Sequence, residues 1–221
     1  MSENNQATDT TDHFKVGAQL PPKPVTIDVI EDGVRQILKG LGQDDKAEVM
    51  KNTPRRVAEM YQDVINAPWC DIEIPWKCFP NIDADGKPLM DDLVIVTDCH
   101  YVSMCEHHLA PALGVAHFAY VPDKRITGYS KIKKALNYVA RQPQLNERLL
   151  KHALDAIEYT LQPKGCGLVL HSTHMCLVCK SNAPADEVVT VQGFRGSLKT
   201  DSFLRGDFLR AVYGRRGSFG P

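Results

Sequence analysis

Apolar side chains recur at helical spacing in the first third of the chain and at strand spacing in the middle. That change of period orders the molecule. From Asp28 to Leu41, the residues Ile30, Val34, Ile37, Leu38 and Leu41 fall on one helical face, and the two glycines of KGLGQDD stop the run. A second helix begins at NTPRRVAEMYQDVI, with Thr53 as its N-cap, Pro54 in the first helical position, and Val57, Met60, Tyr61 and Val64 on one face. The stretch NAPWCDIEIPWKCFPNIDADGKP is too rich in proline and turn residues for regular structure. Two strand-like runs follow, Leu93 to Ser103 and Leu113 to Val121.

After TGYSK a long helical stretch shows two apolar faces, Ile132, Leu136, Val139 and Ala140, then Leu145, Leu149, Ala153, Ala156 and Ile157. Pro143 stands between them, which predicts one kinked helix or two short ones. GLVLHSTHMCLVC alternates like a half-buried strand, Val188 to Val191 adds another, and DFLRAV reads as a closing helix. This order predicts an α+β fold, a largely antiparallel sheet with helices packed on one side. It divides the chain into a disordered tail over 1–24, an N-terminal helical region with a connecting loop over 25–90, and an α+β catalytic domain over 91–221.

Composition removes several function classes. With 43% hydrophobic and 24% charged residues the chain is ordinary globular protein. A net charge of −1 argues against nucleic acid as a partner. No apolar run approaches the ~20 residues of a membrane span, and the polar start MSENNQATDTTD has no export pattern. Seven cysteines without such a signal read as reduced thiols in the cytoplasm, available for metal or catalysis.

Between the first two strands stands MCEHHLAP. Cys105 and His108 have the spacing C-x-x-H, and HSTHMCLVC adds His171, His174, Cys176 and Cys179 far downstream. Read as a strand, that second segment projects His174 and Cys176 to the same side. Thiolate and imidazole donors suit zinc. A closed structural site takes four protein ligands, whereas a catalytic one takes three and keeps a position open. A fourth would be Cys179 or a second histidine, and the odd offset of Cys179 from Cys176 turns it to the other strand face unless the strand breaks. The preferred ligand set is therefore Cys105, His108 and Cys176, with His107 and His174 left as acid/base groups near neutral pH. His100 and His117 read as hydrogen-bonded structural residues, and Cys70, Cys78, Cys99 and Cys166 as small fillers.

CEHH, the later HxC, GYSKI and RQPQLNERL, with TPRRVAEMY before them and DFLRAV after, resemble GTP cyclohydrolase I in order and approximate separation, from about residue 28 to 212. The resemblance implies a T-fold: an N-terminal helical part on an antiparallel sheet with a pair of long helices, assembled through sheet edges into a toroidal homodecamer. It implies a zinc-dependent attack of water on C8 of GTP, opening of the imidazole ring, loss of formate and closure to 7,8-dihydroneopterin triphosphate, on the way to folate and pterins or to 7-deazapurines. Carried over by position, Cys105, His108 and Cys176 match the zinc ligands and His107 and His174 the proton-transfer histidines. Glu147 matches the carboxylate that accepts from guanine N1–H and the 2-amino group. Ser130 and Lys131 match groups that hold ribose and triphosphate, and Arg56 resembles a further phosphate contact.

Four positions depart from the family pattern. Asn146 stands where the family usually has Gln, and Lys134 and Lys180 stand where it has Arg, followed by Ser181 in place of Gly. Arg to Lys keeps the charge and loses the two-pronged grip on phosphate oxygens. Two rival readings follow: a relative redirected to another purine nucleotide, and a non-catalytic binding protein stabilised by zinc with four protein ligands.

Overall fold

The computed structural model describes residues 25–43, 51–65, 77–181 and 187–214; the expected disordered tail over 1–24 and Cys70 lie outside the described residues. The elements run α1 (Ile27–Gly40), α2 (Thr53–Val64), β1 (Cys78–Pro80), β2 (Val94–Cys105), β3 (Pro111–Val121) and β4 (Arg125–Thr127). They continue as α3 (Tyr129–Ala140), β5 (Pro143–Gln144), α4 (Asn146–Leu161), β6 (Gly165–His174), α5 (Met175–Ser181), β7 (Val189–Gly196), α6 (Ser197–Thr200) and α7 (Ser202–Tyr213). The fold is α+β: a five-stranded sheet in the order β5-β2-β3-β6-β7, antiparallel except for a short parallel pairing of β5 with Met104 and Cys105. β1 and β4 form a separate two-stranded pair.

Strand alternation decides which helix covers which face. Tyr101, Ala116, Phe118, Tyr120, Leu168 and Leu170 meet Leu136 and Val139 of α3 and Leu149, Leu154 and Ile157 of α4. Ala119, Val121 and Val169 point the other way, under Leu198 of α6 and Phe208 and Val212 of α7. Helices therefore pack on both faces, where the element order predicts one. The reversal at Gly196 sends the chain there: its φ is 54°, and a Cβ would lie 2.3 Å from the Lys164 carbonyl oxygen. Asp201 then caps α7, its Oδ1 accepting from the backbone N–H of Phe203 at 2.8 Å and Leu204 at 3.2 Å. Burying a side chain such as Phe208 there contributes about 1.5–3 kcal/mol.

The proline-split helical stretch resolves into two helices of 12 and 16 residues. Pro143 itself joins edge strand β5, where its missing N–H costs no ladder bond. The helical hairpin at the start is less buried than its pattern predicts. Of the α1 face only Val34 is buried, while Ile37 and Leu41 are 61% and 66% exposed. α2 buries Pro54 and Ala58 rather than Met60. No described helix is long and apolar enough to cross a membrane.

The strand read through Cys179 ends at His174. Its last ladder pair with β3 is Ala112 with His174. Beyond that point the sheet offers no partner, and the backbone satisfies its hydrogen bonds internally as α5. Alternation along a strand therefore does not carry Cys176.

Candidate active site

The residue that ends β2 is Cys105, and the turn after it is tightly tied. Leu109 N–H donates to the Cys105 carbonyl at 2.9 Å, and Cys105 N–H donates to the Ala110 carbonyl at 2.9 Å. Leu109 adopts a φ of 49°, in the left-handed region. Two neighbours hold this turn from outside. Tyr61 of α2 donates its hydroxyl to the Leu109 carbonyl at 3.0 Å, and Arg148 of α4 pairs with Glu106 at 2.5 Å. His108 is thereby carried back over Cys105, with Nδ1 3.9 Å from Sγ. The first turn of α5 brings Cys176 in from the other side, its Sγ 3.8 Å from that of Cys105.

The donor atoms of Cys105, His108 and Cys176 all lie within 4.8 Å of one another, the two thiols buried and the imidazole exposed. Two sulfurs each ~2.3 Å from one tetrahedral ion stand about 3.8 Å apart, so the sulfur separation fits a shared metal. Two soft donors and an imidazole suit zinc, and the exposed imidazole leaves the solvent side approachable. Cys179 is exposed and stands outside this group, although the strand does break before it. Lys180 brings Nζ to 3.2 Å from His108 Nε2. Burial, then the neighbouring Cys105 thiol, push the Cys176 thiol up.

His174, the final residue of β6 and two residues before Cys176, is half-buried. Its Nε2 lies 2.8 Å from Asn146 Nδ2, and the same amide nitrogen donates to Ser172 Oγ at 2.7 Å. Asn146 and Ser172 are both buried. Burial holds the His174 imidazole below its ordinary range, against the opposing pull of the Glu147 carboxylate. Glu147 is exposed in the first turn of α4. His107 is exposed, its ring edge-to-face with that of His108 at 6.2 Å between centroids.

The remaining candidates stand elsewhere in the chain. α3 is 12 residues long, about 18 Å at 1.5 Å per residue. Its Ala140 end leads to β5 beside Cys105, because Gln144 pairs with Cys105. Ser130 and Lys131 occupy the opposite end, and Lys134 lies one turn further in. Among the described residues no hydrogen bond or ion pair joins these three, or exposed Arg56 of α2, to the cluster. His117 accepts from the Asp98 backbone N–H at 3.3 Å, and His171 Nδ1 lies 2.8 Å from Thr190 Oγ1.

Three residues that touch the site carry little signal in the sequence. Tyr61 reads as part of an apolar face and Arg148 as a surface charge. Ser172 shares a strand face with His174 by the two-residue period, and that spacing is the one clue to it.

Comparison with known proteins closes the question of kinship. The family model described as GTP cyclohydrolase I matches residues 30–213. "GTP cyclohydrolase 1" of Geobacillus sp. (strain WCH70) is 38% identical over 192 residues, covering 86% of this chain and 98% of its own. That of Bacillus subtilis (strain 168) is 38% identical, covering 86% and 97%, and that of Aquifex aeolicus (strain VF5) 34%, covering 84% and 96%. Among solved structures, an archaeosine synthase QueF-Like in the apo form aligns with 48% of this chain and 94% of its own, at 16% identity and a TM-score of 0.40. The match spans both halves of the metal-type cluster and both long helices, and the chain belongs to the GTP cyclohydrolase I family.

Proposed function

We propose that this enzyme hydrolyses the imidazole ring of GTP at C8, releasing formate and giving 7,8-dihydroneopterin triphosphate, with zinc as its metal. The observation that carries the reading is the convergence of Cys105, His108 and Cys176 on one point, with His174 two residues before Cys176 in the chain, in a chain of this family. Three protein donors leave a position open, as a catalytic rather than a structural metal site does. Zinc bound there supplies Lewis acidity that makes water a nucleophile near neutral pH.

The chain's own groups supply the rest. Glu147 accepts hydrogen bonds from guanine N1–H and the 2-amino group, selecting guanine over adenine, which offers the opposite pattern. His174, whose imidazole burial holds below its ordinary range, is the first imidazole available for proton transfer, and His107 is the second, able to protonate N7 or return a proton. Ser130, Lys131 and Lys134 hold ribose and phosphates. Lys180, beside His108, and Arg56 add positive charge for the triphosphate.

Because Ser130 and Lys131 stand at the end of α3 remote from Cys105, the phosphate groups of one site come from a neighbouring copy. That reading calls for a homo-oligomer, here a toroidal decamer. β7 has a sheet neighbour on one side only among the described residues, which suits assembly through sheet edges. The described cysteines are free thiols, in keeping with a cytoplasmic enzyme feeding pterin, folate or 7-deazapurine synthesis.

The test is zinc analysis of the purified protein alongside formate release from GTP, dGTP, GDP, ATP and ITP. Zinc bound with formate from GTP, and zinc retained without ring opening in His174→Ala, supports the reading. Formate from another nucleotide and none from GTP overturns it.

A further inference from the structure

Asn146, which the resemblance to the family places among the substrate contacts, is only 7% exposed. The amide nitrogen meets two acceptors at once, Ser172 Oγ at 2.7 Å and His174 Nε2 at 2.8 Å. Both distances are those of full hydrogen bonds. With the amide turned so that its nitrogen faces both partners, it donates to each, which places the lone pair on the ring nitrogen opposite and the imidazole proton on Nδ1. Ser172, 1% exposed, fixes the amide from behind.

We propose that Asn146 is a positioning residue: anchored by Ser172, it holds His174 in the Nδ1–H tautomer with its ring fixed beside the metal-type cluster. The backbone adds support, since Asn146 opens α4 with only Leu145 between it and β5, and β5 is paired to Cys105. A shift of the Asn146 amide would therefore be felt by His174 and not by the Cys105–His108 turn, which has its own anchors in Tyr61 and Arg148. The proposal rests on the reading of His174 as a proton-transfer group only for its kinetic consequence; the tautomer itself does not depend on it.

The experiment uses zinc-loaded protein labelled with 15N at histidine, read by solid-state spectra that do not depend on particle size, with His174→Gln to assign the signal. The expected result is a His174 Nε2 resonance of the lone-pair type and an Nδ1 resonance of the N–H type. Asn146→Asp replaces the donor with an acceptor of the same shape, and should move the proton to Nε2. Zinc content should stay, kcat for formate release should fall by about 100-fold, and KM for GTP should change little. Ser172→Ala, a milder change that keeps Asn146, should give a mixture of the two tautomers. An Nε2–H signal in the unmodified protein, or an unchanged tautomer and kcat in Asn146→Asp, overturns the proposal. A merely structural Asn146 would lose stability or zinc without changing the tautomer. An unmodified protein that releases no formate ends the functional reading and leaves the resonance result to decide this one.

Discussion

Gly114→Ala gives the sharpest test of how the sheet supports the site. Gly114 pairs with Tyr101 on one side and with Ser172 on the other. A Cβ at Gly114 would fall 2.2 Å from Tyr101 Cζ and 2.5 Å from both Cε1 and Oη. Carbon atoms make contact at about 3.5–4.0 Å, so the ring must move by more than 1 Å. Tyr101 is 3% exposed and packs within the core beneath α3 and α4, so the ring moves only by disturbing that packing. Overpacking of this kind costs about 1–3 kcal/mol. For a chain of this size each kcal/mol lowers Tm by roughly 2–4 °C. The displaced ring would press toward Ser172 and its bond to Asn146, so formate release should fall further than stability alone requires. The assay is urea unfolding at fixed protomer concentration, since an oligomer's midpoint moves with concentration. Tyr101→Ala alone should cost about 3–5 kcal/mol, as large aromatic truncations do. In that background the three atoms nearest the new Cβ are gone, and the Gly114 substitution should cost much less, a coupling of about 1–3 kcal/mol. If Gly114→Ala destabilises equally with and without the Tyr101 ring, the steric account is wrong.

Cys176→Ser should lose zinc and activity together, because ligand removal underlies both; full zinc occupancy by metal analysis would refute the ligand assignment. Lys134→Arg restores a two-pronged phosphate grip and should lower KM for GTP, whereas an unchanged KM removes Lys134 from the substrate contacts. His152 of α4 gives a pH prediction away from the metal. Burial is the main cause holding its imidazole below the ordinary range, with Asp155 opposing, and Nδ1 has no hydrogen-bond partner among the described residues. The folded protein then binds fewer protons than the unfolded chain, so stability is full above pH ~6.5 and declines as pH falls through the window below it. The slope is at most ~1.4 kcal/mol per pH unit. His152→Gln should flatten the fall in urea midpoint between about pH 7 and 5, and an unchanged fall would acquit His152.

The elements legible from the sequence are those whose pattern is settled within a few residues. The alternation of β3 and β6 and the paired apolar faces of α3 and α4 belong to that class, because each is buried against a neighbour in the same chain. Two readings failed for the opposite reason. GLVLHSTHMCLVC alternates apolar and polar residues through Cys179, but strand length is set by the partner, and β3 stops opposite His174. The faces of α1 were drawn from spacing alone, and Ile37 and Leu41 find no cover within the described chain. Spacing says which residues share a side; it cannot say whether anything lies against that side. The candidate ligands were legible through residue chemistry, since thiol and imidazole pairs are dispensable to a core. Ser172 was not, because a buried hydroxyl is a common core group, and Asn146 was legible only as a departure at a substrate position; the contacts of its amide with Ser172 and His174 come from the fold.

Register explains why the cluster forms where strand pairing runs out. Met104 pairs with Pro111 at the end of β2 and β3, and Ala112 pairs with His174 at the end of β6. Those two pairings bring Cys105 and the start of α5 to the same edge of the sheet, so the cluster needs no dedicated scaffold beyond the ladder itself. A slip of β6 by one residue against β3 would turn Ser172 and His174 to the α7 face, away from Asn146. It would also drive Leu168 and Leu170 out of the core under α3 and α4. Selection for a well-packed core therefore also fixes the position of His174, and the polar triad of Asn146, Ser172 and His174 needs only to choose the orientation of one ring.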